Sequence, residues 1–518
     1  MKFERASGIL LHPSSLPGPY GIGDLGPAAF RWVDWLAGSG CKLWQVLPLG
    51  PTGYGDSPYQ CFSAFAGNPY LISLEFLERD NLLSSDDLVG DQKFEPGKVD
   101  FGTLIPWKMN LLERAFSRFS TDLASASSTR LGAPPQENLT TPTKAPTRSL
   151  KEDYISFCAE NAFWLDDYAL FMAIKEAQGG GSWEGWLEPL RHRNQAELIA
   201  ARESMASSIA RYTFYQFIFF RQWNALHEYA NQMGVSIIGD IPIFVANDSS
   251  DVWSHPDLFF LDSDLKPTVI AGVPPDYFSP TGQLWGNPLY RWDVHKSTHY
   301  EWWLQRLRST LMLVDILRID HFRGFAGYWE IPAENLTAEI GRWVPGPGAD
   351  FFTAIRSSLG ADLPIIAEDL GVITPDVIAL RDKFALPGMK VLQFGFSGPD
   401  NAFLPHSYLP NCVVYTGTHD NDTARGWYQS APENEKDFAR RYLRIDGLDF
   451  SWDLIRAAWR STAVFALAPL QDFLSLGTEA RFNFPSRLGG NWEWRVSEAQ
   501  LSAELRGGIK ELNWLYQR

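Results

Sequence analysis

The 518-residue sequence is poor in cysteine and in long hydrophobic runs, and each deficit excludes a class of protein. Its cysteines, Cys41, Cys61, Cys158 and Cys412, lack the CxxC spacing of a zinc site and the density of a disulfide framework. No uninterrupted apolar stretch reaches the roughly 18 residues that a membrane-spanning helix needs, and the N-terminal run GILL is too short for a signal peptide. We therefore expect a cytoplasmic protein without a membrane partner.

Positive charge is also scarce. The chain has 45 Lys and Arg against 61 Asp and Glu, a net charge of -16. Nucleic-acid binding depends on concentrated Lys and Arg, so we expect no nucleic-acid partner. Aromatic residues, by contrast, make up 14% of the chain. Most should lie in a large core, but aromatic rings also pack on the flat C–H faces of sugars, so a carbohydrate groove is an open alternative.

Short apolar runs that end in polar or turn residues recur along the chain and predict strands. Helical patterns at residues 27–37, 374–384 and 433–443 lie between several of them. Strand followed by helix, repeated over eight runs, predicts an α/β fold of the (β/α)8 TIM barrel type. The eight runs are residues 7–12, 42–48, 235–240, 314–320, 363–368, 389–394, 412–417 and 463–469.

The spacing of these runs is uneven. The gaps after the second and third runs far exceed the roughly 2 to 6 residues of an ordinary βα loop. They predict a single barrel over residues 1–518 that carries a mainly helical insertion at 75–233 and a second insertion at 245–300, both at the C-terminal face of the barrel. Residues 117–147 are rich in Ser, Thr, Pro and Ala, so we expect a mobile surface loop there.

Four predicted strand ends carry a carboxylate, namely Asp240, Asp320, Glu368 and Asp420. In a barrel such ends converge on one pocket. Acids crowded together cannot all ionise easily, so one should stay protonated near neutral pH while another stays charged. Arg318 is two residues before Asp320, so on a strand the two side chains lie on the same face and the guanidinium favours the charged form of the Asp320 carboxyl group. Glycosidic bond cleavage requires such a division into an acid and an anion.

Other interpretations of these residues are possible. The Arg318–Asp320 pair could be a structural ion pair at a strand end. The acids could hold a metal together with His321 and His419, but they come singly from separate strands, so we expect no metal site. The sequence GIGDLG at 21–26 spells a dinucleotide motif, yet Pro-rich residues rather than a strand precede it, so no cofactor is expected.

Four segments resemble, in order and spacing, the four conserved regions of the α-amylase superfamily. They are GDIPIFV (239–245), LRIDHFRG (317–324), IIAEDLG (365–371) and TGTHDND (416–422). Their amino-acid sequences are similar to those of the amylomaltases, also called disproportionating enzymes, which are 4-α-glucanotransferases. Further matches are HPSSLPGPYGIGDLG (12–26), WQVLPLGPTGYGDSPYQ (44–60), AGVPPDYFSPTGQLWGNP (271–288) and EARFNFP (479–485). The resemblance spans essentially the whole chain outside the tract around 117–147.

The resemblance implies three catalytic residues. Asp320 would be the nucleophile, Glu368 the general acid and then base, and Asp420 a carboxylate that grips sugar hydroxyls and stabilises the transition state. Asp369, beside Glu368, is the competing choice of acid, because adjacent strand residues point to opposite faces. The resemblance favours Glu368.

The same resemblance implies a set of substrate-binding residues. Tyr59, Asp240, Arg318 and His419 would line the cleavage subsite, with Ser57 and His321 as further contacts. The loop 272–279, with Asp276, Tyr277 and Phe278, would form a flexible lid over the acceptor side and is followed by Gln283 and Trp285. Asn483 would approach from the opposite rim, and Tyr54 would serve a secondary glucan site.

The implied reaction is the transfer of α-1,4-glucan segments from a glucan donor to glucose or a maltooligosaccharide, by a retaining double displacement. Two alternatives belong to other classes. A glucan-binding protein with a decayed site would bind maltooligosaccharides without changing them. A metal-dependent hydrolase that uses the same carboxylates would be inactivated by a chelator.

Overall fold

The structure, a computed structural model, describes residues 3–89, 92–125, 149–275, 279–485, 487 and 489–518. The strands in these residues are β1 (Ala6–Leu10), β2 (Leu43–Gln45), β3 (Ser236–Pro242), β4 (Val269–Val273), β5 (Gln283–Pro288), β6 (Ile316–Asp320), β7 (Gly327–Pro332), β8 (Arg342–Pro345), β9 (Ile365–Ala367), β10 (Gly388–Val391), β11 (Cys412–Tyr415) and β12 (Phe465–Pro469).

Eight of these strands form one parallel sheet that curls into a barrel. Their order is β10-β11-β12-β1-β2-β3-β6-β9. Across the remaining seam, the backbone N–H of Ala367 at the end of β9 donates to the carbonyl of Pro387, just before β10, at 2.9 Å. Each of the eight predicted runs overlaps one of these strands, so the predicted (β/α)8 barrel is confirmed.

The helices lie around this barrel and in the insertions, and three of them coincide with the helical patterns predicted at 27–37, 374–384 and 433–443. The helices are α1 (Pro27–Gly38), α2 (Leu74–Arg79), α3 (Ser85–Leu88), α4 (Phe101–Ser125), α5 (Leu150–Ala177), α6 (Glu188–Arg191), α7 (Gln195–Ser204), α8 (Ala206–Gln232), α9 (Ser250–Ser254), α10 (Trp292–Ser297), α11 (Glu301–Leu313), α12 (Gly348–Leu359), α13 (Pro375–Lys383), α14 (Ala424–Ser430), α15 (Glu433–Leu443), α16 (Phe450–Arg460), α17 (Leu470–Phe473) and α18 (Ala503–Tyr516).

The insertion between β2 and β3 is helical, with α4 and α5 packed on α8. The loop predicted at 117–147 begins too early in the chain, since residues 117–125 are the last turns of α4. Phe119 continues the apolar face of that helix, is buried and packs on Phe214 of α8 with ring centroids 4.9 Å apart. The rest of the predicted loop lies outside the described residues. The signal that sequence reasoning missed was the helical spacing of apolar residues in the first part of this tract.

A second sheet, which we did not predict, stands beside the barrel. Its order is β5-β4-β7-β8 and all its pairs are antiparallel. It joins the segment inserted after β3 to the segment that follows β6. Residues 276–278, which the sequence predicts to belong to a lid, fall between β4 and β5 in the chain.

Alternate residues of the barrel strands fill the barrel interior. Ile316 of β6 and Ile366 of β9 belong to the interior cluster, while Leu317 and Ile365 pack outside against the helices. Because strand side chains alternate, the even-numbered residues that follow on these strands also turn inward. The interior is therefore apolar towards the N-terminal ends of β6 and β9 and becomes polar towards their C-terminal ends.

Among the described residues, no helix is both long enough and apolar enough to cross a membrane.

Candidate active site

Two of the predicted catalytic residues lie side by side at the ends of neighbouring strands. Asp320 is the last residue of β6, and Glu368 directly follows β9. The two strands pair in parallel with Ile319 opposite Ala367, so Asp320 and Glu368 are the next step of the same ladder. Neighbouring strands are about 4.8 Å apart, and both residues have inward parity. Their carboxyl groups therefore share the mouth of the barrel.

Arg318 binds two of the four acids at once. Its Nη1 donates to Oδ2 of Asp240 at 2.6 Å, and its Nη2 donates to Oδ1 of Asp320 at 2.8 Å. Only 4% of the Arg318 side chain is exposed, against 30% for Asp320. Burial opposes the guanidinium charge, but the two carboxylates outweigh it and raise the pKa of Arg318 well above its ordinary value. The Asp320 carboxylate thus faces a permanent cation and still reaches the cleft.

Glu368 lies in a different electrostatic environment. It is almost fully buried, and its two carboxyl oxygens accept hydrogen bonds from the backbone N–H groups of His321 at 2.6 Å and Leu370 at 2.7 Å. Burial and then the negative charge of Asp320 raise the pKa of Glu368 to about 8, although Arg318 and these N–H groups act in the opposite direction. Near neutral pH the site therefore combines a protonated carboxyl with a neighbouring carboxylate paired to Arg318.

The neighbouring acid, Asp369, points the other way. Its Oδ2 accepts from Nη1 of Arg381 on α13 at 2.5 Å, and its Oδ1 accepts from the backbone N–H of Met389 at 2.7 Å. This carboxylate ties α13 to the start of β10. The strand parity that sequence alone left open thus directs Glu368 to the cleft and Asp369 to the surrounding helices.

The third predicted catalytic residue, Asp420, lies in the irregular loop after β11. Nε2 of His419 is 3.2 Å from its Oδ2, and Nδ2 of Asn483 donates to its Oδ1 at 2.6 Å. Burial alone would raise the pKa of Asp420, but His419 and the hydrogen bonds from His419 and Asn483 lower it to about 2. Half of the Asp420 side chain is exposed. The carboxylate is therefore charged and open to a ligand.

Tyr59 links the two sides of the site. Its hydroxyl donates to Oδ2 of Asp240 at 2.9 Å, and its ring stacks on the His419 ring with centroids 4.8 Å apart. A polar chain therefore runs from Asp320 through Arg318, Asp240, Tyr59 and His419 to Asp420. The predicted Ser57 belongs to the same loop as Tyr59, where its Oγ accepts from the Tyr59 backbone N–H at 3.2 Å.

Two of the predicted acceptor-side residues, Gln283 and Trp285, lie on β5 of the second sheet and contact each other. Nε1 of Trp285 donates to Oε1 of Gln283 at 3.0 Å, and the Trp285 ring stands edge-on to the His321 ring at 4.8 Å. Asp276, Tyr277 and Phe278 lie outside the described residues. Of Tyr54, only the backbone is described, in a 3-10 turn.

Sequence reasoning missed three residues that support the site. The Tyr415 hydroxyl donates to Oε1 of Gln45 at 2.9 Å, in the buried layer beneath Arg318. Arg481 donates from Nη2 to the backbone carbonyl of Asp420 at 2.9 Å. The signal for Gln45 and Tyr415 was a polar atom inside an apolar strand run. Arg481 lies in the EARFNFP motif, in which nothing in the sequence distinguishes this arginine from a surface residue.

The described part of the chain contains no group of three or more His, Cys, Asp or Glu side chains arranged to hold a metal ion. The cleft is instead built from carboxylates, each engaged by an arginine, a histidine, an asparagine or a backbone N–H.

Comparison with known proteins identifies the family. A family model for glycoside hydrolase family 77, described as 4-alpha-glucanotransferase, matches residues 11–501. The chain belongs to this 4-alpha-glucanotransferase family. Among family relatives, the 4-alpha-glucanotransferase of Thermus thermophilus is 50% identical over 513 residues, covering 97% of each chain. That of Clostridium butyricum is 43% identical over 514 residues, covering 98% of this chain and 100% of its own.

A solved family structure agrees with the fold described above. The amylomaltase from Streptococcus agalactiae, in complex with acarbose, superposes with a TM-score of 0.92 at 38% identity and covers 99% of this chain and 100% of its own. The resemblance to amylomaltases predicted from sequence is therefore confirmed, and so is the enzyme class, a glucanotransferase.

Proposed function

We propose that this 4-alpha-glucanotransferase transfers α-1,4-glucan segments from a glucan donor to glucose or a maltooligosaccharide through a covalent β-glucosyl enzyme. The proposal rests on the different electrostatic environments of two adjacent carboxyl groups. Arg318 pairs with Asp320, whereas burial and the Asp320 charge raise the pKa of Glu368 to about 8. Placement on neighbouring strands suits a retaining enzyme, in which the two carboxyl groups lie about 5 to 5.5 Å apart.

In the first half-reaction, an Asp320 oxygen attacks C1 of the donor glucose while Glu368 gives its proton to the glycosidic oxygen. The C1–O bond breaks, and the reducing-end segment leaves with that proton. The glucosyl group remains as a β-linked ester of Asp320. Asp420 stays ionised because its pKa is about 2, so its charge can bind sugar hydroxyls and stabilise the positive charge that develops on the ring.

In the second half-reaction, Glu368 is a carboxylate and acts as the base. It takes the proton from the 4-hydroxyl of an acceptor glucan, whose oxygen attacks C1 and displaces Asp320. The α-1,4 bond is restored and both carboxyl groups return to their starting states. Because one glycosidic bond is broken and one is formed, the cycle consumes no energy source and uses no cofactor.

Transfer competes with hydrolysis at the second step. Trp285 packs edge-on against the His321 ring and donates to Gln283, which gives an aromatic and polar surface. His321 connects this surface to Glu368 through its backbone N–H. We assign this surface, with the lid residues 276–278, to acceptor binding. A bound acceptor presents its hydroxyl at a high effective concentration and displaces water from the glucosyl ester.

The test is the product pattern from maltotriose. We expect glucose and a ladder of longer maltooligosaccharides, with the total number of reducing ends unchanged over time. Reducing ends that increase steadily would identify a hydrolase, and tight maltotriose binding without products would identify a binding protein. Incubation with a chelator should leave the rate unchanged; loss of activity that is restored by a metal would overturn the metal-free mechanism.

A further inference from the structure

The Asp420 carboxylate is held in place differently from those of Asp320 and Glu368. Strand β11 ends at Tyr415, so Asp420 lies beyond the parallel ladder. Within its loop, the Asn421 side chain accepts from the backbone and hydroxyl of Thr418 at 2.8 Å each. These bonds order the loop itself but do not connect it to the rest of the cleft. His419 and Asn483 bind the Asp420 carboxylate itself, so what remains to be found is a connection that holds the Asp420 backbone.

Arg481 makes that connection. Its Nη2 donates to the carbonyl of Asp420 at 2.9 Å, and its Nε donates to the carbonyl of Asn483 at 3.1 Å. The side chains of the same two residues are joined by the 2.6 Å bond from Asn483 to Asp420. One guanidinium therefore bridges two irregular segments on their backbones, at the place where their side chains meet.

The environment of Arg481 fits this bridging role. Its guanidinium lies over the Phe484 ring, 4.5 Å from the centroid, which fixes the plane of the fork. Within the described residues it forms no ion pair with a carboxylate, so its donors serve the two carbonyls. Only a planar fork can reach both acceptors at once; a lysine ammonium in the same place is a single point of contact.

We propose that Arg481 is a positioning residue that sets the place of the Asp420 carboxylate relative to Asp320. It acts through the backbones of Asp420 and Asn483 and does not touch the substrate. The proposal rests on the function proposed above and on the role given there to Asp420. Because Asp420 stabilises charge that exists only in the transition state, loss of Arg481 should lower kcat more than it raises KM.

The first experiment compares two arginines that share one aromatic ring. Arg487 lies over the same Phe484 ring at 5.2 Å but makes no hydrogen bond to Asp420, so Arg487→Gln is the matched control. We expect Arg481→Gln to lower kcat for maltotriose disproportionation about 10- to 100-fold, the range for misplacement by about 1 Å. Arg487→Gln should change it less than about 2-fold, and Arg481→Lys should recover part of the loss. Equal effects of the two Gln variants would overturn the proposal.

The second experiment separates positioning from general damage to the fold. In an Asp420→Ala background, Arg481→Gln has no carboxylate left to position, so the residual rate over long incubation should fall less than about 2-fold further. A loss as large as in the unmutated background, or a drop in Tm that accounts for the loss, would overturn the positioning role. If Asp420→Ala itself keeps full activity, the role of Asp420 fails; if the unmutated enzyme gives no transfer, the proposed function fails.

Discussion

The two sides of this candidate active site are built on different principles. On one side, Asp320 and Glu368 are adjacent steps of a parallel ladder, so backbone hydrogen bonds set the distance between them. On the other, Asp420 lies in an irregular loop, and its place depends on bonds from His419, Asn483 and Arg481. The strand side is rigid because moving it would break the barrel. The loop side can be altered by single side chains.

The difference also appears in the electrostatics. Asp240 and Arg318 are buried within the barrel mouth, where a charge is tolerated only with a partner, so the strand side is a closed network. Asp420 is half exposed and has its pKa lowered to about 2 by His419 and by hydrogen bonds, with burial opposing them. Substitutions on the strand side should therefore remove chemistry, whereas those that leave Asp420 intact on the loop side should weaken it by degrees.

The largest expected effect is on the strand side. Asp320→Asn removes the nucleophile but keeps the shape of the side chain, so kcat should fall by at least about 10⁴-fold. Calorimetric titration with a maltooligosaccharide should still show binding, because the other residues proposed to bind the sugar rings remain in the cleft. Appreciable turnover by this variant would show that Asp320 does not form the covalent intermediate.

Glu368→Gln should come next, with a loss of about 10³-fold or more on maltotriose and a much smaller loss on a glucosyl donor whose leaving group needs no proton. Asp369→Asn is the matched control. That carboxylate binds Arg381 and the Met389 backbone, so its loss should lower the Tm while kcat/KM stays within a few-fold of the original value. The reverse pattern would exchange the roles of the two acids.

A smaller, graded effect is expected from pH. Glu368 must be protonated to cleave the donor, and its pKa is raised to about 8. The kcat/KM profile should therefore be level below about pH 8 and fall about tenfold per pH unit above it. Asp420, with a pKa of about 2, should cause no loss on the acid side down to about pH 4. A basic limb that begins near pH 5 would contradict the protonated state assigned to Glu368.

The smallest effect should come from the loop side. Asn483→Ala removes one hydrogen bond to Asp420 but keeps the carboxylate itself. Its contact with His419 and the bond from Arg481 to the Asp420 backbone also remain, so kcat should fall only about 10-fold, about the value of one hydrogen bond to a charged group. Asn411→Ala is the control. Asn411 lies just before β11, at the opposite end of the strand from Asp420, and its side chain donates to the Ala385 carbonyl. A loss as large as that of Asp320→Asn would mean that the two sides are equally intolerant of change.

The parts of the site that sequence predicted are those with a local signal. An apolar run that ends in a charged residue, as in LRID before His321, marks both a strand and the end where its chemistry lies. The strand containing Arg318 and the acids at the strand ends could therefore be predicted without knowledge of any contact. The second sheet could not, because β4 and β7 are short segments from different insertions whose pairing depends on the barrel beneath them.

The sequence by itself determined the strands of the barrel, the acids at or just beyond their ends and, through a resemblance to a family, the enzyme class. Only the tertiary structure decided that Glu368 rather than Asp369 turns inward, that Gln45 and Tyr415 lie beneath Arg318, and that Arg481 binds the loop of Asp420. Periodicity and polarity are properties of neighbouring residues and can be recognised in the chain. By contrast, the direction in which a residue just beyond a strand points, and the hydrogen bonds between distant loops, exist only once the barrel has brought those segments together.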